Sequence, residues 1–242
     1  KKIQGSDIAA VKMEVMRNKY PDVEVLKEIR KVTHDNGVLL IFDECTSGFR
    51  ESFGGLHLNY EVSPDIAVFG KALSNGFSLT SVIGTKEVMK QAETTFISST
   101  YFTEKTPYIA ALKTLQIMEE KKSWEMITNH GKYFREVLRK AVIENGFGIE
   151  FSGMYSLSTF KISFKEDSPF KDKNHSTFLK TLITQEMLKH GYLFSNIFYP
   201  SILHTKDEID KCISCLGSVL IKISKQKKLD KMLKSSLCHS TF

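Results

Sequence analysis

Apolar residues fall into two textures along the chain. In the first half they come as short, dense runs. Ile8 to Met13 (IAAVKM) and Val38 to Phe42 (VLLIF) read as strands, as do Ile66 to Phe69 (IAVF) and Leu79 to Ile83 (LTSVI). VLLIF is apolar at every position, the pattern of a strand buried on both faces of a parallel sheet. Pro21-Asp22 opens a helix whose apolar positions are Val23, Val25, Leu26, Ile29 and Val32. Asn36-Gly37 stops it, with Gly37 suited to the left-handed position after a helix. Strand–helix–strand alternation predicts an α/β fold with a mostly parallel sheet and right-handed crossovers. In such sheets ligands bind beyond the carboxyl ends of the strands.

The second texture begins with two long helices between Pro107 and Asn145, Pro107 suiting a first helical turn. From Tyr155 to Phe164 the chain alternates apolar and polar residues, as a half-exposed antiparallel strand does. Helices follow near Thr177–His190 and Lys206–Lys222. Thr205-Lys206-Asp207-Glu208 forms a capping box for the second, in which hydroxyl and carboxylate satisfy free N–H groups. The change of texture predicts two domains, residues 1–120 and 121–242, the second an α+β unit.

Composition narrows the function classes. Of 242 residues, 41% are apolar and 26% charged, ordinary globular usage. The net charge is +6, with a local excess only over Lys222 to Lys234. No aromatic residues interleave with it as in a nucleic-acid-binding face, so it reads as a solvated helical tail and no nucleic-acid partner is expected. No apolar run reaches the roughly 18 residues that span a bilayer, and no membrane partner is expected. The start, KKIQGSDIAAVKMEV, has neither a secretory pattern nor an initiator methionine and reads as part of something longer. The four cysteines include one C-x-x-C, Cys212 and Cys215. Cys212 shares a helical face with Ile209, Ile213, Leu216 and Leu220, and the two cysteines read as core thiols in a reducing, cytoplasmic setting. His34, His57 and His130 lack metal-ligand spacing, and no metal is expected.

Chemistry gathers at two strand ends. Asp43-Glu44-Cys45-Thr46-Ser47-Gly48-Phe49-Arg50 follows VLLIF, and Gly70-Lys71-Ala72-Leu73-Ser74-Asn75-Gly76 follows IAVF. A carboxylate and a lysine therefore stand at one edge of one sheet. Pyridoxal phosphate needs such a pair: an amine to form a Schiff base with its aldehyde, and a carboxylate to keep its ring nitrogen protonated as an electron sink. Gly70 would let the backbone turn sharply before the lysine. Desolvation would help keep Lys71 neutral while it shuttles protons. On spacing alone a structural ion pair accounts for the two residues equally well.

The run LLIFDECTSGFR…FGG…SPDIAVFGKALSNGF…SVIG resembles the class III (omega-type) aminotransferases, and within them most the glutamate-1-semialdehyde 2,1-aminomutase-like branch. The likeness extends upstream through DIAAVKMEVMRNKYP, where Val15 takes the place of the family's usual proline after Glu14. Downstream it runs through FISSTYFTEKTPYIAALKTL and, more loosely, HGYLFSNIFYPSILHTKDEID. The resemblance implies a fold-type I pyridoxal-phosphate transferase: part of the cofactor-binding large domain, then a C-terminal small domain. It implies Lys71 as the Schiff-base lysine and Asp43 as partner of the ring nitrogen. Cys45 falls where the family usually packs a valine on the ring face. Thr100 would bind the cofactor phosphate across a homodimer interface, with Thr103 as the competing choice. Arg50 matches a recurring arginine and reads equally as a structural ion pair, and His204 reads as organising a helix start.

Family members carry a long N-terminal half, with the phosphate loop and a ring-stacking aromatic, before the region where this sequence begins. Three readings follow. The first is amino-group transfer from a small-molecule amino donor to a carbonyl acceptor, as transaminase or aminomutase, with pyridoxal 5'-phosphate. The second is a non-catalytic remnant or one half of a split aminotransferase. The third is a lysine Schiff-base enzyme without the cofactor, such as an aldolase.

Overall fold

The computed structural model describes residues 7–175 and 177–239. The leading lysines of the sequence therefore lie outside the described residues. The chain divides into two compact units, Lys1–Met126 and Ile127–Phe242.

The first unit is built on a four-stranded sheet in the order β1 (Ala10–Glu14), β2 (Leu39–Asp43), β3 (Ile66–Phe69), β4 (Ser81–Gly84). The first three strands run parallel and β4 pairs antiparallel with β3. Helix α1 (Val23–Asp35) crosses from β1 to β2. Asp22 caps it by accepting from the Glu24 N–H at 3.0 Å, and Gly37 follows it at φ +67°, as the sequence predicts. Leu40 and Phe42 are fully buried, but Leu39 and Ile41 are only half-buried. The apolar run VLLIF is thus covered completely on one face, not both. Arg30 of α1 and Asp65 before β3 pair at 2.7 Å, and the same Asp65 oxygen accepts from the Leu40 N–H at 2.7 Å, locking helix, β2 and β3 together. Short α2 (Lys86–Met89) and long α3 (Thr106–Lys121) complete the unit, and α4 (Ser123–Glu144) leads into the next.

The second unit packs α4, α5 (Phe178–Leu188) and α6 (Lys206–Ser224) with an antiparallel sheet of β5 (Phe147–Ser152), β6 (Ser158–Phe164) and β7 (Ile197–Phe198). Its core holds Leu138, Val142, Phe160, Leu182, Met187, Leu216 and Leu220. Thr205 and Glu208 form the predicted capping box of α6. Tyr155 to Leu157, expected to begin a strand, form a 3₁₀ turn instead. Arg135 of α4 explains this locally: its guanidinium donates to the carbonyls of Ser152, Gly153 and Met154 at 2.9, 2.9 and 2.8 Å, taking acceptors that a longer β-ladder would use. Cys212 and Cys215 are half-buried on α6, and burial pushes the Cys212 thiol up to about 11.

Candidate active site

The carboxyl ends of β2 and β3 lie side by side, because Asp43 and Val68 are paired in register. The ladder continues one step further, with the Glu44 N–H donating to the Val68 carbonyl at 2.8 Å. This brings the segment after Asp43 against the segment after Phe69. The Cys45 sulfur would lie 3.6 Å from a Cβ placed on Gly70. Lys71, the next residue, donates from Nζ to Thr46 Oγ1 at 2.6 Å.

Lys71 itself takes the left-handed backbone, at φ +45°. Gly70, expected to supply the sharp turn, is extended at φ −169°, and a Cβ there would meet only ordinary contacts. The conformational cost therefore falls on the lysine, where a non-glycine residue in this region stores about 1 kcal/mol or more. Lys71 is also exposed, so the described residues do not supply the desolvation anticipated from the sequence.

Asp43 is engaged at both oxygens. Oδ1 accepts from the Cys45 N–H at 3.2 Å, and Oδ2 pairs with Lys12 of β1 at 2.9 Å. The Lys12 ammonium holds the Asp43 carboxyl below the usual carboxylate range, against the upward push of partial burial. Cys45 is pushed up, by burial first and then by its hydrogen bond to Asp43 and that group's charge; Lys71 and Lys12 oppose the shift. Cys45 is accordingly a small, protonated, weakly nucleophilic side chain. The structure thus brings Asp43, Cys45 and Lys71 together.

Thr100 and Thr103 lie in an exposed turn that precedes α3. Among the described residues, no hydrogen bond joins either to Asp43, Cys45 or Lys71. His204 accepts at Nδ1 from the Ser201 N–H at 2.9 Å and so orders the turn before α6.

Three partners at the edge escape a reading by spacing. Lys12 sits mid-strand, where an apolar run hides its approach to Asp43. Thr46 is the acceptor for Lys71. Glu44, fully buried, accepts at Oε1 from the His57 backbone N–H at 3.0 Å, contacts His57 Nδ1 at 2.7 Å, and accepts at Oε2 from Ser47. Burial alone would push the Glu44 carboxyl up, but these bonds overcome it and hold it below its ordinary value. Glu44 and His57 clamp the loop that carries Cys45 and Thr46.

This architecture is that of solved transaminase structures. The chain superimposes with a TM-score of 0.73 and 26% identity on an S-selective transaminase from Arthrobacter sp. with alanine bound, covering 90% of this chain and 52% of that one. It matches the pyridoxal-phosphate internal aldimine form of the Sphingopyxis sp. MTA144 FumI protein with a TM-score of 0.79 and 20% identity, covering 96% and 57%. The sequence model of the class-III aminotransferases matches residues 2–216, and the chain belongs to that family. Among curated relatives, it is 30% identical over 208 residues to 3-aminobutyryl-CoA aminotransferase of Cloacimonas acidaminovorans (strain Evry), covering 85% of this chain and 49% of the relative. It is 26% identical over 231 residues to glutamate-1-semialdehyde 2,1-aminomutase of Natranaerobius thermophilus, covering 90% and 54%. The chain spans about half the length of the curated relatives it matches.

Proposed function

We propose that this chain carries the lysine side of a pyridoxal-phosphate-dependent amino-transfer site, with Lys71 holding the cofactor. The observation that carries this reading is the meeting of Lys71, Asp43 and Cys45 beyond the carboxyl ends of the parallel strands β2 and β3. These residues fit the ring end of the cofactor: an amine for its aldehyde, a carboxylate for its ring nitrogen, and a small thiol beside both. When bound, the cofactor supplies an electron sink for the bond broken at the substrate carbon.

The chain's own residues have the remaining tasks. Lys71 would hold the cofactor's aldehyde through Nζ and move a proton at that nitrogen to and from the reacting carbon. Thr46 accepts a hydrogen bond from that nitrogen and fixes where it waits. Asp43, kept ionised by Lys12, is the acceptor for a ring N–H. Cys45 packs beside the ring in the place of the family's valine. Thr100 binds the phosphate from a neighbouring subunit, which makes the working protein a homodimer. Residues 1–120 serve as part of the cofactor-binding domain and 121–242 as the small domain. The substrates are a small amino donor and a carbonyl acceptor, and the setting is the cytoplasm. Among the described residues, no helix is long and apolar enough to cross a membrane.

The test is to incubate the protein with excess pyridoxal phosphate, reduce with borohydride and map the label by mass spectrometry. Label concentrated on Lys71, together with a visible band that is lost in Lys71→Ala, is the expected result. Label spread over surface lysines in proportion to their exposure, with an unchanged spectrum in Lys71→Ala, rejects the assignment.

A further inference from the structure

The proposed transfer site depends on one carboxylate, and a cation from the neighbouring strand already uses it. Lys12 stands in register with Ile41, two residues short of Asp43, and its side chain closes that distance along the sheet face to put Nζ 2.9 Å from Oδ2. The β1–β2 ladder fixes the Cα of both residues, so the contact is set by strand register and not by a mobile loop. The other carboxylate on this face of β1, Glu14, pairs with Arg17 at 3.0 Å. Asp43 is thus the carboxylate that Lys12 takes.

The other groups around the pair do not relieve it. Cys45, in the loop after β2, gives its N–H to Asp43 Oδ1 at 3.2 Å, and its thiol is pushed up, so it is neutral near neutrality. Lys71, after β3, is a second ammonium and donates to Thr46 Oγ1 at 2.6 Å. Glu14 adds its charge to the surroundings of Lys12, and Lys71 to those of Cys45. Each carboxylate oxygen offers two acceptor sites, so Asp43 keeps room for a third donor. Its charge is a different matter. Lys12 offsets much of the attraction that Asp43 alone would offer a cationic N–H.

We propose that Lys12 is a positioning residue that acts through Asp43: it stays paired with Oδ2 while the cofactor is bound, and so loosens the hold of the ring nitrogen on its proton. This rests on the reading of Lys71 and Asp43 given above. Two cations that share one carboxylate repel each other. A like charge at that range lowers a cation's titration midpoint by about one unit, a tenfold change in its protonated fraction. A ring that holds its proton less firmly is a weaker electron sink. Lys12 therefore sets how strongly Asp43 can assist the chemistry, without touching the reacting atoms itself.

The test uses pyridoxal phosphate isotope-labelled at the ring nitrogen. Borohydride reduction fixes it on the protein, mass spectrometry confirms Lys71 as the point of attachment, and nitrogen NMR follows the ring resonance against pH. Removing the ammonium in K12M should raise the ring midpoint by about one unit, so that the ring is about tenfold more protonated at a given pH above it. K12Q, which removes the charge without adding apolar surface, should do the same. K12R keeps a cation and should hold the wild-type midpoint. The Lys12 side chain is 61% exposed, so these changes leave the core intact. Label on Lys71 with one midpoint common to wild type, K12M and K12Q overturns the proposal and leaves the reading of Lys71 standing. A midpoint that moves as far in K12R as in K12M also overturns it, because a lost packing contact would then explain both. Label that misses Lys71 rejects the reading of Lys71 and this proposal with it.

Discussion

Lys12 Nζ stands 2.9 Å from Asp43 Oδ2, across the parallel pairing of β1 with β2. Residues 12 and 14 share a face of β1, and 41 and 43 share the matching face of β2, so the lysine reaches the carboxylate diagonally. In the proposed site Lys12 and a ring nitrogen are rivals for this one side chain.

Lys12→Met is expected to raise the titration midpoint of Asp43 toward the ordinary carboxylate value, read by carbon NMR of the side-chain carboxyl. The Asp43 value is lowered in the folded protein, so the pair's contribution to stability is present above the ordinary range and lost as pH falls through the lowered one. The Lys12 value is raised, so the contribution also fades as pH rises beyond the ordinary lysine range. An Asp43 midpoint that stays put in Lys12→Met would show that another group depresses it.

Glu186 of α5 is buried and pairs with Lys189 and, at 2.7 Å, with Lys222 of α6. Burial pushes its carboxyl up, but hydrogen bonds from Lys189, Lys222 and Gln185 prevail and bring it to about 2. The folded value is depressed, so its stabilisation is whole above the ordinary carboxylate range and disappears between there and about pH 2. Glu186→Gln is expected to cost about 2 kcal/mol at pH 7 and much less at pH 3, measured by urea unfolding. An equal cost at both pH values would contradict this account.

Two helical glycines should respond in opposite directions. A Cβ on Gly131 of α4 would lie 1.9 Å from the Tyr155 carbonyl oxygen, so Gly131→Ala must force helix and turn apart and cost about 2 kcal/mol or more. A Cβ on Gly217 of α6 would meet nothing nearer than 3.7 Å, so Gly217→Ala should gain about 0.5–1 kcal/mol from helix propensity. Thermal unfolding of the two variants checks the pair, and a shift in the same direction for both would refute the packing argument.

Local rules carried much of the fold into the sequence. Asp22 and Gly37 bound α1 because capping and the left-handed stop depend on neighbours a few residues away. The capping box at Thr205 and the buried stripe of α6 were legible for the same reason. Asp43 and Lys71 could be placed at strand ends because each follows an unbroken apolar run. The 3₁₀ turn at Tyr155 was not legible, since it depends on a guanidinium twenty residues upstream.

By itself, then, the sequence determined the elements, their capping, the family and the two chemical groups at one sheet edge, since these follow from periodicity, local hydrogen bonding and motif. Only the tertiary structure decided that Lys12 occupies Asp43, that Glu44 and His57 clamp the loop between the strands, that Lys71 takes the strained backbone, and that Thr177 at the start of α5 and Thr181 and Gln185 along it bond the chain that follows α6. Each of those depends on strand register or on chain segments that meet only after folding, and neither is written in the spacing of residues along the chain.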